Sequence, residues 1–247
     1  MPNIVSRISA HRRKLYSLLP SGMALRHTAS PSSCLQVERL YALSVLPSGL
    51  GALVLSKCEI NALHIHYKNT LRSLLKLPKD VPEASIFFLA GSLPIEGHLH
   101  MRVLSLFSMI CHLQGNPLNS IARNALFQAR PSSRSWFFML RRICIKYSLP
   151  HPLVLLTSPL SRQRVKSPYK SRIREFWHNH LTAKVTALPS LQNMNPQFLS
   201  LNRPHPLWLP PWVVMPLKLV LLWYRHSFFV VATGRRSYGV IGPQITS

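Results

Sequence analysis

Proline sets the limits on what this chain can fold into. Its 21 prolines outnumber its 9 glycines. Proline ends or kinks a helix that it enters beyond the first turn, so these residues cut the sequence into helix-length pieces. Ile4, Ile8, Leu15 and Leu18 fall near helical spacing and stop at Pro20-Ser21-Gly22. A second piece runs from about Cys34 to Leu46, with Val37, Leu40, Tyr41 and Val45 as its apolar side, and ends at Pro47. Ser56 and Glu59 have the spacing of a capping box. They precede an apolar stripe of Ile60, Leu63, Tyr67, Leu71, Leu74 and Leu75, with Lys68, Arg72 and Lys76 beside it. Pro78 ends that helix.

The same reading continues downstream. Asp80 and Glu83 are expected to cap a helix carrying Ile86, Phe87, Phe88 and Leu89, and Pro94 to occupy the first position of the next. That one carries Ile95, Leu99, Val103, Leu106, Phe107 and Ile110. Asn116-Pro117 opens a shorter piece through Ile121 and Ala125. Ser133 is expected to cap a helix with Trp136, Leu140, Ile143, Cys144 and Tyr147 on one side. Ser167-Pro168 is expected to open the last, with Tyr169, Ile173, Phe176, Trp177 and His180. Alternation of period two is sustained nowhere before about Val213. The expected fold is therefore mainly α: an irregular multi-helix bundle of short, proline-punctuated helices over residues 1–208. Residues 209–247 form an apolar, proline-rich tail expected to be poorly ordered. Lys218 and Arg225 interrupt the tail's apolar run, which argues against a membrane span.

Charge narrows the function. Six acids, Asp80, Glu38, Glu59, Glu83, Glu96 and Glu175, stand against 30 Lys+Arg, a formal net charge of +24. Two-metal catalysis needs several convergent carboxylates, glycoside hydrolysis needs an opposed pair, and no GxxxxGK[ST] loop or GxSxG elbow occurs. No enzyme site is expected, no cofactor and no small-molecule substrate. Between Glu96 and Glu175 lie thirteen Lys/Arg and no acid. Arg141, Arg142 and Lys146 form one basic group, and Arg162, Arg164, Lys166, Lys170, Arg172 and Arg174 the richer one. Cations of this density, interleaved with Tyr169, Phe176 and Trp177, suit phosphate neutralisation and base stacking on RNA or DNA. The bland reading of the rings is core packing, which the spacing of Tyr169, Ile173 and Phe176 favours. Lys170, Arg172 and Arg174 would fall in the first two turns of the expected helix, where the helix dipole disfavours cations and a bound phosphate would reverse the penalty.

Cys34, Cys58, Cys111 and Cys144 are far apart and read as buried reduced thiols of an intracellular protein. His98, His100, Cys111 and His112, like His64 with His66, lack the paired spacing of a zinc frame and read as core or surface residues. Arg7, Arg12, Arg13 and Lys14 argue against a secretory leader. Acid depletion extends along the whole chain, so a nuclear location is favoured over a mitochondrial one.

Several strings, taken in order, resemble one family: the region after the reverse-transcriptase palm in polyproteins of LINE-type, non-LTR retrotransposons. They are ISAHRRKLYSLLPSG, VERLYALSVLPSGLGALVLSKCEINALHIHYKNTLRSLLKLP, FFLAGSLPIEGHLHMRVLSLFSMI, SSRSWFFMLRRICIKYSLP, FWHNHL and RPHPLW, spanning about residues 4–208. The resemblance implies a mostly helical, non-catalytic extension lying near template RNA and target DNA, since the palm carboxylates and the endonuclease of such polyproteins lie upstream. Two departures stand out. Ser48-Gly49 replaces a Tyr-Gly pair, and no cysteine follows Leu209, where the family continues into a Cys/His-rich segment. The expectation is a retrotransposon fragment with nonspecific RNA or DNA binding. Two rivals remain: a basic protein that is targeted to mitochondria or associates with a membrane surface through Trp208–Val231, and a relic reading frame without selected function.

Overall fold

The computed structural model describes residues 4–17, 31–112, 117–130, 135–157, 162–188 and 199–204, and of residues 162–167 only the backbone. The expected tail over 209–247 lies outside the described residues, as do Ser133 and Pro20-Ser21-Gly22. Nine α-helices and no strand occur among the described residues: α1 (Ile4–Ser17), α2 (Pro31–Val37), α3 (Lys57–Leu74), α4 (Glu83–Ala90), α5 (Ile95–Cys111), α6 (Pro117–Gln128), α7 (Trp136–Lys146), α8 (Pro152–Thr157) and α9 (Arg162–Thr186). The mainly α expectation holds. No helix among these residues is long and apolar enough to cross a membrane.

Helix α5 is the axis of the fold, in contact with α3, α6, α7 and α9. Its Leu99, Val103 and Phe107, spaced at i, i+4 and i+8, are all buried. Helix α4 is apolar on every side and enclosed from Ala84 to Ala90, as an all-round apolar helix must be. Burying Phe87 and Phe88 contributes about 1.5–3 kcal/mol each. It ends at Gly91, whose φ of +59° lies in the left-handed region that favours glycine, with the Ser92 N–H donating to the Phe87 carbonyl. The backbone of Arg203 lies so close that a Cβ on Gly91 would overlap its carbonyl oxygen. Trp136 opens α7 and donates its indole N–H to the Gly51 carbonyl at 2.7 Å, joining segments 85 residues apart.

The Ser56–Glu59 capping box is present in full: Glu59 N–H donates to Ser56 Oγ, and Ser56 N–H to Glu59 Oε2 at 2.7 Å. Other boundaries differ from expectation. Helix α4 begins after Pro82, with no side-chain cap, and Asp80 lies outside it. Pro94 is the cap residue of α5 instead of its first helical residue. Ser135 precedes α7 without a side-chain cap bond. Helix α8 has no counterpart among the expected pieces. Helix α9 starts at Arg162 and runs through Pro168, which has no N–H to offer the Arg164 carbonyl. In α6 the buried residues are Ala122 and Leu126, while Ile121 is exposed.

The largest departure is the piece expected over 34–46. After α2 the backbone widens into a π-helical turn, Glu38–Ala42, closed by the Leu43 N–H on the Glu38 carbonyl, then tightens into a 3-10 turn, Leu43–Val45. A π turn inserts one residue into the helical count and rotates the downstream residues about the axis. Leu40 and Tyr41, expected on the apolar stripe, are 64% and 59% exposed, and Glu38 is buried with Cys34, Leu35 and Ala42 in their place. Cys58 is also exposed, contrary to the expectation of four buried thiols.

Candidate nucleic-acid interface

Most of the scarce carboxylates are engaged inside the fold. Glu83, at the start of α4, gathers three cationic or protonatable groups: His64 at 3.2 Å, Lys68 at 3.5 Å and Lys184 at 3.7 Å. The His64 hydrogen bond and the two lysines hold its carboxyl down at about 2. Glu38, fully buried, faces His11 Nε2 at 3.7 Å, and His11 Nδ1 lies 3.0 Å from His66 Nε2. Glu59 is committed to its cap. Glu96 accepts from Lys146 Nζ at 2.6 Å, with His100 Nε2 at 3.8 Å. Glu175 reaches only the exposed Arg172, at 3.5 Å.

The basic residues singled out in the sequence therefore divide. Lys146 is built into the fold. Besides its bond to Glu96, its ammonium lies 4.8 Å from the centre of the Trp177 ring and 5.3 Å from that of Phe176. Trp177 donates its indole N–H to Tyr147 Oη at 3.1 Å, leaving the phenolic proton for His100 Nδ1 at 2.7 Å. Burial holds His100 neutral, near 4. Arg141 is equally committed: its guanidinium donates to the carbonyls of Leu126, at 2.6 Å, and Ala129, at the end of α6. It satisfies helix-end acceptors that would otherwise be orphaned.

Arg142, Lys170 and Arg174 are exposed, as is Arg172 beside Glu175. The side chains of Arg162, Arg164 and Lys166 lie outside the described residues. Because α9 begins at Arg162, Lys170 sits more than two turns in. The dipole argument made for Lys170, Arg172 and Arg174 fails there, since the effect fades within the first turn. Of the interleaved rings, Tyr169 and Trp177 are buried at 7% exposure and Phe176 is half-buried against the core. Core packing describes these rings; stacking on bases would require them to be open.

Two cations not singled out in the sequence join Lys170. Between α5, α9 and the 38–47 segment lies a cleft of about 350 Å³ whose walls include Arg39, Arg102 and Lys170, the side chains of Ser105 and Ser108, and no carboxylate. Arg102 is exposed, while Arg39 is half-buried and donates to the Ala90 and Gly91 carbonyls at 2.5 and 2.6 Å. Only the spacing of His98, Arg102 and Ser105, at i, i+4 and i+7 along α5, signals this wall in the sequence. Nothing local announces Arg39, which reaches the cleft through the π turn. Among the described residues no group of three or more His, Cys, Asp or Glu could hold a metal ion. Compared with protein-family models, curated proteins and solved structures, the chain matches none of them.

Proposed function

We propose that this chain is a piece of the post-palm region of a LINE-type reverse-transcriptase polyprotein, and that it binds RNA or DNA without sequence preference and without catalysing a reaction. One observation carries the reading. Glu38, Glu59, Glu83 and Glu96 are held by partners within the fold and Glu175 meets only Arg172, so the exposed cations of α5, α7 and α9, Arg102, Arg142, Lys170 and Arg174, face outward with little counter-charge. A polyanion offers that compensation and releases its own counterions on binding. The mainly helical body agrees with the helical extension that the sequence resemblance implies.

Binding of a fluorescent single-stranded oligonucleotide tests this reading. Affinity should fall linearly with salt on logarithmic axes, and each removed phosphate contact should lower the slope by about one. Joint replacement of Arg162, Arg164, Lys170, Arg172 and Arg174 by Gln should flatten that dependence. Salt-independent binding, or none at low salt, refutes it.

A further inference from the structure

The cleft between α5 and α9 has more than charge to distinguish it. Its cations come from three separate elements: Arg39 from the π turn, Arg102 from α5 and Lys170 from α9. Three like charges around about 350 Å³ repel one another. Ser108 lines the same space, is 4% exposed, and its Oγ has no hydrogen-bond partner among the described residues. His98 lines it too. Its bond to the Leu93 backbone leaves Nε2 as the remaining ring nitrogen, which is out of solvent and equally unpartnered. A buried polar group without a partner costs about 1–3 kcal/mol; the Ser108 hydroxyl, a donor, and the repulsion both favour an anion with several acceptor oxygens, whereas the Nε2 of neutral His98 is an acceptor and contributes no bond to it. The volume is at the lower end of the roughly 300–1,000 Å³ of small-ligand pockets, which suits one phosphate ester and not a stack of bases.

We propose that this cleft binds a single phosphate group of a nucleotide or nucleic-acid strand, with Arg102 and Lys170 as its counter-charges and Ser108 as a hydrogen-bond donor. Arg39 supplies positive field from behind, since its guanidinium already serves the end of α4. His98 reports that field: burial first, then Arg39, Arg102 and Arg174, push its imidazole down to about 4. The inference rests on the nucleic-acid reading and adds to it one discrete anchoring point on an otherwise diffuse surface.

The test uses the full chain and three ligands at low salt: an oligonucleotide without terminal phosphate, a nucleoside 5′-monophosphate, and the nucleoside alone. Arg102→Gln should weaken oligonucleotide binding about tenfold, as loss of a charge-assisted contact does. Arg13→Gln removes the same charge from exposed α1, away from the binding surface, and should change it by less than about threefold. Ser108→Ala should also lower affinity while leaving the thermal midpoint unchanged or raised, because it deletes an unsatisfied buried hydroxyl. A purely structural Ser108 would lower the midpoint instead. If the monophosphate binds, competes with the oligonucleotide and depends on Arg102, while the nucleoside does not bind, the cleft takes a free or terminal phosphate. If only the oligonucleotide shows the Arg102 dependence, the cleft takes an internal phosphodiester. Equal weakening by Arg102→Gln and Arg13→Gln overturns the cleft and leaves nonspecific binding standing. Absence of oligonucleotide binding overturns the nucleic-acid reading; Arg102-dependent binding of the monophosphate would then still support the cleft, and its absence would remove both.

Discussion

Gly97 and Trp177 meet where α5 passes α9: a Cβ in place of the glycine hydrogen would stand 2.9 Å from the indole Nε1. That nitrogen is the donor to Tyr147 Oη, so the crowding falls on a hydrogen-bonded group that cannot swing aside freely. Gly97→Ala gains up to about 1 kcal/mol of helix propensity and loses about 1–3 kcal/mol to overpacking. The variant should be destabilised by about 1 kcal/mol in urea melts. A more stable variant would show that the two helices are not in such close contact.

Lys146 should behave as a structural residue despite its place in a basic run. Lys146→Met leaves Glu96 without its closest partner and removes the cation from the Trp177 ring, costing about 1 kcal/mol. Its effect on oligonucleotide affinity should be no larger than that of Arg142→Gln. A large binding defect with an unchanged melting midpoint would contradict the structural role.

At Gly91 two constraints coincide, the positive φ and the Arg203 backbone against its Cα. Gly91→Ala should cost at least about 1 kcal/mol from backbone conformation alone. It should also detach the segment around Leu199–Arg203, read as faster amide hydrogen exchange at Leu201 and Asn202. Unchanged exchange there would dismiss the contact.

Acid should unfold the protein in two stages. Burial and nearby positive charge hold His66 and His98 near 4, and burial does the same for His100. Unfolded imidazoles titrate near 6.5, so the unfolded chain takes up protons first as pH falls. The stability from these neutral histidines is full above about 6.5 and lost progressively down to about 4. Glu83, held at about 2, contributes stability present above its ordinary 4.5 and lost as pH falls toward 2. Denaturant midpoints at about pH 7.5, 5 and 3 should decrease in that order, and His66→Gln should flatten the upper stage. A midpoint rising between the first two values would reverse the assignment of neutral histidines.

Where local signals act alone, the sequence was enough to read. Ser56 and Glu59 are three residues apart, and their capping box needs no help from the rest of the chain. Leu63, Tyr67 and Leu71 fall on a buried face because α3 keeps regular winding. The failures arise where tertiary contacts decide. The π turn that buries Glu38 exists within contacts to α1, whose His11 faces that carboxylate, which no window of residues 34–46 contains. Arg141 and Lys146 look like free cations until the ends of α6 and α5 deliver a carbonyl and a carboxylate. The cleft was illegible for the same reason: Arg39, Arg102 and Lys170 are neighbours only after α5 and α9 pack. Side chains at Arg162, Arg164 and Lys166 stand outside the described residues.

Arg39 ties two parts of the molecule together. One guanidinium both latches the carboxyl end of α4 and forms a wall of the cleft. Any substitution that shortens it unfastens a strut while reshaping a lodging place. Neither feature can therefore be altered through that residue without disturbing the other, which makes Arg39 a poor place to probe binding in isolation and a sensitive one for coupling between the two.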